Sequence, residues 1–374
     1  MNVLVVFTFG YSLKTWSDSK TLNREISIYK KLFEKEGVNF TFLTYGNVLD
    51  KELINEEGLN VIPIYEFIQE KNSKTRMLLD SIIFPFKFRS KFKNIDLIKQ
   101  HQISGVWLSI ILKILLKVPL YTRTGYDMQL FAKFENKSFL TRCLYYIFNQ
   151  LGLIFSDIFT VSNTFDLKNT KKRYIHKKNI HLRTNWIMKK KYKPLNERRE
   201  DAIVSVGRIE NQKNFFELIK NFSKSNIEIH IFGDGSLQNQ LKHYASKHDV
   251  KLILHGSISN EILQNRLSEY KYFVSTSFYE GNPKSVMEAL SVGCLVFASD
   301  IPSHQDLITN NKNGLLFKLG NYELKKQFFK FISESSNIKD ISINAFKESE
   351  KNFKLDIVSE KEFEDYIFLL NQSK

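Results

Sequence analysis

The sequence predicts an α/β protein built from two doubly wound, Rossmann-like domains. Three observations carry that expectation. Short β-branched or aromatic runs alternate with longer stretches of helical period; the alternation restarts after a basic, Pro-containing stretch (KKKYKPLNERRED, 189–201); and 374 residues suit two ordinary domains. Strands separated by helix-length segments imply βαβ units, hence parallel sheets covered on both faces.

In the first half the candidate strands are 2–9 (NVLVVFTF), 38–44 (VNFTFLT), 95–100 (IDLIKQ), 118–124 (VPLYTRT) and 157–161 (DIFTV). Between the first two, Leu22, Ile26, Tyr29 and Leu32/Phe33 recur at three- and four-residue steps, which predicts a helix over 22–36. In the second half AIVSVGR opens the series, followed by 227–235 (IEIHIFGDG), 251–256 (KLILHG), 271–277 (KYFVSTS) and 294–300 (CLVFASD). The linker is expected between about 184 and 200, where charge is dense and hydrophobic periodicity lapses. The expected domains are therefore 1–185 and 186–354. A terminal acidic helix over about 355–374 closes the second domain or packs back on the basic first half, with Phe363, Ile367 and Leu370 on one side.

Composition excludes several classes. With 43% hydrophobic and 25% charged residues the chain is neither disordered nor collagen-like. Its two cysteines, Cys143 and Cys294, are far apart and lack metal-ligand spacing, so neither a disulfide framework nor a zinc site is expected. The net charge is +15, and residues 1–185 carry 28 basic against 16 acidic side chains. An excess concentrated in one half points to an anionic partner for that half, or to a Lys-rich composition with no such role. The first strand lacks the basic region and cleavage site of an export signal. The most apolar stretches, 102–112 and 143–156, fall short of a membrane span and are expected to be buried helices. A cytoplasmic protein, peripheral on the inner face of the membrane, is the expected location.

In an open parallel sheet, ligands bind beyond the carboxyl ends of the strands, where loops meet helix N-termini. Those positions in the second half hold Gly207, Arg208 and Lys213; then Gly233, Asp234 and Gly235; then His255 and Gly256; then FYEGNPKSVMEAL (278–290). Gly281, Asn282 and Pro283 form a turn, and Pro283 suits the start of a helix because its missing N–H costs nothing there. Backbone N–H groups around Lys284 and Ser285 and the positive helix end then face the turn. Glu280 precedes the turn and Glu288 lies about one helical turn beyond it, flanking an anion-attracting pocket. Carboxylates accept hydrogen bonds from vicinal hydroxyls, so the pair suits sugars on either side of a phosphate, and Arg208 and Lys213 suit the phosphate itself. His255 reads as a structural strand-end residue in preference to a base.

Glu280 and Glu288, embedded in EGNPKSVMEAL, resemble the E-x7-E motif of retaining nucleotide-sugar glycosyltransferases of the GT-B type, specifically the large family 4. The resemblance extends to VGRIENQKN (206–214), FGDGSL (232–237) and, more loosely, PSHQDLITNNKNGLLF (302–317), so it covers most of the second half. It implies two facing Rossmann-like domains and transfer of a sugar from a nucleotide diphosphate donor, most often UDP-linked, to a glycan or lipid-linked acceptor, in surface polysaccharide biosynthesis. Arg208 and Lys213 would hold the donor diphosphate; Glu280, with the N–H groups of Gly281–Lys284, would hold hydroxyls of the transferred sugar; Glu288 would bind the ribose. The loop Gly233–Gly235 would approach the nucleotide closely. No cofactor or metal is expected, since cationic side chains and the helix end supply the electrostatics.

The first half resembles that family mainly in layout. The loop after the first strand carries Gly10 but no Gly-Gly pair. Many relatives place a histidine at the end of the strand that here reads VPLYTRTGYDMQ, where this chain has Arg123, Gly125, Tyr126 and Asp127. Asp127 or Tyr126 would orient an acceptor hydroxyl and Arg123 would grip a phosphate, with a helix N-cap as the other role for Asp127. His101 is a further strand-end candidate. The segment 77–93 holds Lys87, Arg89, Lys91 and Lys93 with four phenylalanines, which suits an anionic membrane surface, or single-stranded nucleic acid, or a solvated basic edge. Two other classes stand beside the enzyme: a non-catalytic sugar-binding subunit, and a nucleic-acid-binding protein, which leaves the Glu pair unexplained.

Overall fold

In a computed structural model the described residues are 1–70, 73–173, 179–188 and 191–372. The linker positions Lys189 and Lys190, and the last two residues of the expected terminal helix, lie outside them. The chain divides into two compact units, Met1–Thr184 with Val358–Lys374, and Asn185–Ile357.

The first unit holds seven parallel strands: β1 (Asn2–Val6), β2 (Asn39–Thr44), β3 (Leu59–Pro63), β4 (Leu97–Gln100), β5 (Leu120–Arg123), β6 (Ile158–Val161) and β7 (Ile180–Leu182). Their order is β3-β2-β1-β4-β5-β6-β7. Strand β1 lies in the interior of the sheet, paired with β2 and β4, and Val3–Val6 are fully buried, which is why it reads as an unbroken apolar run. The helix predicted over 22–36 is Leu22–Glu36, ended by Gly37 in the left-handed region (φ 64°).

The second unit holds six parallel strands: β8 (Arg199–Val206), β9 (Glu228–Phe232), β10 (Leu252–Leu254), β11 (Tyr270–Ser275), β12 (Leu295–Ser299) and β13 (Leu315–Phe317), in the order β10-β9-β8-β11-β12-β13. The chain builds outward from β8 to β10, then returns to start the other half at β11. The crevice between the carboxyl ends of β8 and β11 is therefore the topological switch point of this sheet.

Three expectations need correction. Arg199 and Glu200, expected in the linker, form the start of β8, where Arg199 pairs with Asp201 (2.8 Å) and Glu228 (2.9 Å). The terminal helix, Leu355–Gln372, buries Glu362, Asp365, Tyr366 and Leu369, while Ile367 is exposed. The reason is chemical: Glu362 pairs with the buried Lys99 of β4, and Asp365 takes Arg183 (2.6 Å) and His181 (2.8 Å), so the acids face inward to meet partners. Finally, 143–156 does not form a buried helix. It belongs to the helix Phe139–Phe155, in which only Gly152 and Leu153 are buried.

Candidate functional site

The loops after β8 and β11 are stitched together across the switch point. Thr276 Oγ1 donates to the carbonyls of Lys213 and Asn214, both at 2.9 Å. Phe278 N–H donates to the Gln212 carbonyl (2.9 Å), and Gln212 Nε2 donates to the Tyr279 carbonyl (2.9 Å). A single 3₁₀ turn, Asn211–Lys213, and Asn214 in the left-handed region (φ 51°) turn the chain tightly enough to make these bonds.

They bring Lys213 onto Glu280, with Nζ–Oε1 at 2.5 Å and side chains only 15% and 10% exposed. Ser277 Oγ (2.7 Å) and Gln212 Nε2 (3.2 Å) also donate to the carboxylate. Burial pushes the Glu280 carboxyl up, but the Lys213 charge and hydrogen bond, with Ser277, outweigh it and hold it below its ordinary value. His304, fully buried, is pushed down to about 4 by burial against the opposing pull of Glu280. Its Nδ1–H donates to the Ser299 carbonyl (2.7 Å), which leaves Nε2 as the acceptor facing Ser275 Oγ (3.5 Å). The site thus holds a charged pair backed by a neutral imidazole. The sequence reading assigned Lys213 and Glu280 to different parts of a ligand; the structure joins them in one ion pair. It missed Gln212, Ser277 and His304, although His304 stands in the PSHQ stretch already singled out.

Arg208 is exposed, and among the described residues its side chain has no hydrogen-bond or ion-pair partner, although its charge helps to hold the Glu210 carboxyl below its ordinary value. Ahead of the helix Lys284–Ser291, Pro283 occupies the cap position, one place before the first turn, and has no side chain able to cap. The turn is anchored from its other side: Asn185 N–H donates to Asn282 Oδ1 (3.0 Å), Asn185 Nδ2 to the Asn282 carbonyl (3.1 Å), and Lys284 Nζ lies 5.6 Å from the Trp186 ring centre. Glu288 points inward, 3% exposed, and accepts from Asn260 Nδ2 at 2.5 Å. Ser285 and Gly281 complete the turn and first helical residues.

Glycines set the spacing of the loops. A Cβ on Gly233 (φ +144°) would sit 2.1 Å from the Gly207 carbonyl oxygen, and one on Gly207 2.5 Å from Lys213 Cε. Gly235 likewise abuts the Ile209 backbone. Gly233 and Gly235 let the loop after β9 meet the loop after β8, and Gly207 makes room for the Lys213 side chain of its own loop. Asp234 is equally structural, accepting from Ser257 N–H at 2.7 Å. His255 stacks on Phe232 (4.3 Å between centres) and reaches His230 Nδ1 at 2.9 Å, so it is a packed strand-end residue.

In the first unit the candidates scatter. Gly10 turns the chain (φ +76°) before the helix Leu13–Asp18, but the N–H groups of Leu13 (3.1 Å) and Lys14 (3.0 Å) already donate to Asp50, so that helix end holds an internal anion. His101 is buried between Phe7 and Trp16, 3.9 Å from Glu25. Arg123 is 4% exposed within β5, where its charge acts on Lys99 and Tyr121 inside the domain, so the expected phosphate grip is not available at the surface. Asp127 caps the helix Met128–Phe134 through Gln129 N–H (2.9 Å) and Leu130 N–H (3.1 Å). With the half-exposed Tyr126 and with Arg173 it lines a small polar pocket beside the ends of β5 and β6. Among the described residues, no three His, Cys, Asp or Glu side chains converge as a metal site would require.

Residues 188–367 match the family model described as glycosyl transferases group 1. A segment is 28% identical over 175 residues to a poly(ribitol-phosphate) alpha-N-acetylglucosaminyltransferase of Staphylococcus aureus, covering 46% of this chain and 31% of that protein. Another is 31% identical over 137 residues to a UDP-Gal:alpha-D-GlcNAc-diphosphoundecaprenol alpha-1,3-galactosyltransferase of Escherichia coli, covering 34% of this chain and 35% of that one. The matches thus span well under half the length of these relatives. Among solved structures, sucrose-phosphate synthase of Thermosynechococcus elongatus superposes with a TM-score of 0.80 at 13% identity, covering 100% of both chains. HepE of Anabaena, solved with UDP and glucose, does so with 0.74 at 14% identity, covering 99% of this chain and 100% of that one. The fold is that of the GT-B glycosyltransferases, two Rossmann-like α/β domains.

Proposed function

We propose that this chain is a retaining glycosyltransferase that moves a sugar from a nucleotide diphosphate, UDP-linked, to a glycan or lipid-linked glycan in surface polysaccharide synthesis. The observation that carries the proposal is the buried Lys213–Glu280 pair at the switch point of the second sheet, beside the unpaired Arg208. Relatives whose names specify a diphosphoundecaprenol-linked acceptor and a polyribitol phosphate support the acceptor class. HepE, solved with UDP and glucose, supports the donor class.

The chemistry follows from these residues. The donor diphosphate lies against Arg208, Lys213 and the N–H groups at the start of the helix Lys284–Ser291, which place positive charge where negative charge develops as the sugar leaves. Phosphate oxygens then share Lys213 with Glu280, so the ion pair loosens as the donor binds. Glu280, held by Ser277 and Gln212, accepts hydrogen bonds from sugar hydroxyls, and Glu288 accepts them from the ribose. The acceptor oxygen attacks the anomeric carbon from the face the diphosphate leaves. The bond from that carbon to the phosphate oxygen breaks, and the acceptor's hydroxyl proton passes to the departing oxygen. The chain's cationic groups supply the charge stabilisation, and the reaction is metal-independent. Tyr126 and Arg173 offer acceptor contacts, while Asp127 holds its helix.

The test is hydrolysis or transfer of a UDP-sugar by the wild type and Glu280→Ala, with UDP binding measured alongside. The variant should keep UDP binding and lose activity by about a hundredfold or more. Equal, null rates in both proteins with UDP still bound would favour a non-catalytic sugar-nucleotide-binding subunit.

A further inference from the structure

The helix Phe139–Phe155 presents an apolar stripe to solvent. Leu140, Leu144, Ile147 and Ile154 follow one another at steps of four, three and seven residues, which places them on one side of the helix, and they are 70%, 44%, 48% and 66% exposed. The stripe runs for about 21 Å at the ordinary helical rise. Phe139, at 77%, extends it at the N-terminal end.

The stripe has neighbours of the same kind. The helices Lys74–Lys87, Val106–Leu116 and Phe139–Phe155 bury their inner sides in one cluster with Leu4, Val6 and Ile98, so all three lie on the same face of the first sheet. Trp107 joins them, its ring 4.9 Å from Phe148 and its Nε1 donating to Ser81 Oγ (2.9 Å). On the first of these helices Ile83 and Phe86 are 45% and 59% exposed. Cations outnumber acids in two long segments of this face. Between Asp80 and Asp96 the sequence holds four cations and no acid; between Glu135 and Asp157 it holds Lys137, which pairs with Glu135 (3.4 Å), and Arg142. Exposed apolar patches of this extent are uncommon on monomers that bind nothing there.

We infer that this face of the first unit docks on an anionic lipid bilayer, with the stripe of Phe139–Phe155 entering the headgroup region and the flanking cations meeting lipid charge. The occupant follows from complementarity: a large apolar area with cations in excess over acids along its edges, two of them neutralised by Glu135 and Asp157, fits a surface that is apolar beneath and negative above. Among the described residues no helix is long and apolar enough to cross a membrane. The inference stands independently of the sugar-transfer reading, because lipid alone is its ligand.

The experiment is co-sedimentation of the full chain with vesicles of phosphatidylcholine alone and of phosphatidylcholine mixed with phosphatidylglycerol, comparing wild type with Leu144→Glu/Ile147→Glu. Both positions are exposed, so the variant should fold, and its thermal unfolding checks that it does. The wild type should bind the mixed vesicles, release on raising salt, and bind phosphatidylcholine weakly, while the variant should lose roughly tenfold or more of its partition. Equal partition of wild type and variant would overturn the inference. So would a wild-type dimer in sedimentation velocity that the variant dissolves with no vesicle binding by either protein, which would assign the face to a second copy of the chain.

Discussion

Replacing Lys213 by alanine should affect folding and turnover through one buried charge. In the wild type Glu280 is ionised, 10% exposed, and neutralised by Lys213 at 2.5 Å. Removing one partner of a buried pair costs about 3–5 kcal/mol when the other charge is stranded. Ser277 and Gln212 still donate to the carboxylate, which lowers the expected cost to about 2–3 kcal/mol. The sign of its pH dependence is fixed. In the wild type the carboxyl lies below its ordinary value, so its contribution is present above that value and lost as pH falls. In the variant burial acts without Lys213, the carboxyl rises, and protonation relieves the penalty at low pH. The gap between the two proteins should therefore be larger at pH 8 than at pH 5. Urea unfolding at both pH values measures it, and Lys213→Ala/Glu280→Gln should recover most of the stability but none of the turnover. A gap below about 0.5 kcal/mol at pH 8, the size of an ordinary surface substitution, would refute the reasoning.

Three further outcomes follow from the same structure. His304, buried neutral and pushed down to about 4, must stay uncharged in the fold while the unfolded chain protonates near 6.5; the wild type should lose about 2 kcal/mol between pH 7.5 and 5, and a His304→Leu variant with an equal pH slope would remove histidine from the explanation. Lys99→Met strands Glu362 in the first unit and should cost about 3–5 kcal/mol in urea unfolding, with Lys99→Met/Glu362→Leu restoring most of it; failure of the double variant to recover would mean that the pair is held for some reason other than mutual neutralisation. Gly233→Ala places a Cβ 2.1 Å from a backbone oxygen at φ +144° and should lower the melting temperature by several degrees and weaken UDP binding together; an unchanged protein would show that the loops part freely.

Much of this architecture is legible in the sequence because parallel strands buried on both faces leave continuous apolar runs, as NVLVV and AIVSV do. The strands that escaped the reading, β3, β7 and β13, are all at sheet edges and three to five residues long; with one neighbour each, they need little hydrophobic pattern. The apolar run 143–156 pointed to the helix Phe139–Phe155 but not to its orientation, since an apolar helix looks the same in sequence whether it meets a core or something outside the chain. The terminal helix misled in the opposite sense: its buried side carries Glu362 and Asp365, and only the positions of Lys99, Arg183 and His181 explain that. At the candidate site, motif spacing picked out Glu280, Glu288, Arg208 and Lys213. The Lys213–Glu280 ion pair spans 67 residues and depends on Thr276, Gln212 and Phe278 holding two loops together, which no local pattern encodes.

The central claim is that the Lys213–Glu280 corner of the second sheet receives the diphosphate of a nucleotide sugar. Titration calorimetry of UDP, UMP and uridine into the wild type and into Arg208→Ala/Lys213→Ala tests it most directly. The account predicts one UDP per chain, bound more tightly than UMP and uridine, and an affinity at least about tenfold weaker in the variant. Equal affinity for UDP and uridine, or a variant that binds UDP as well as the wild type, would contradict it.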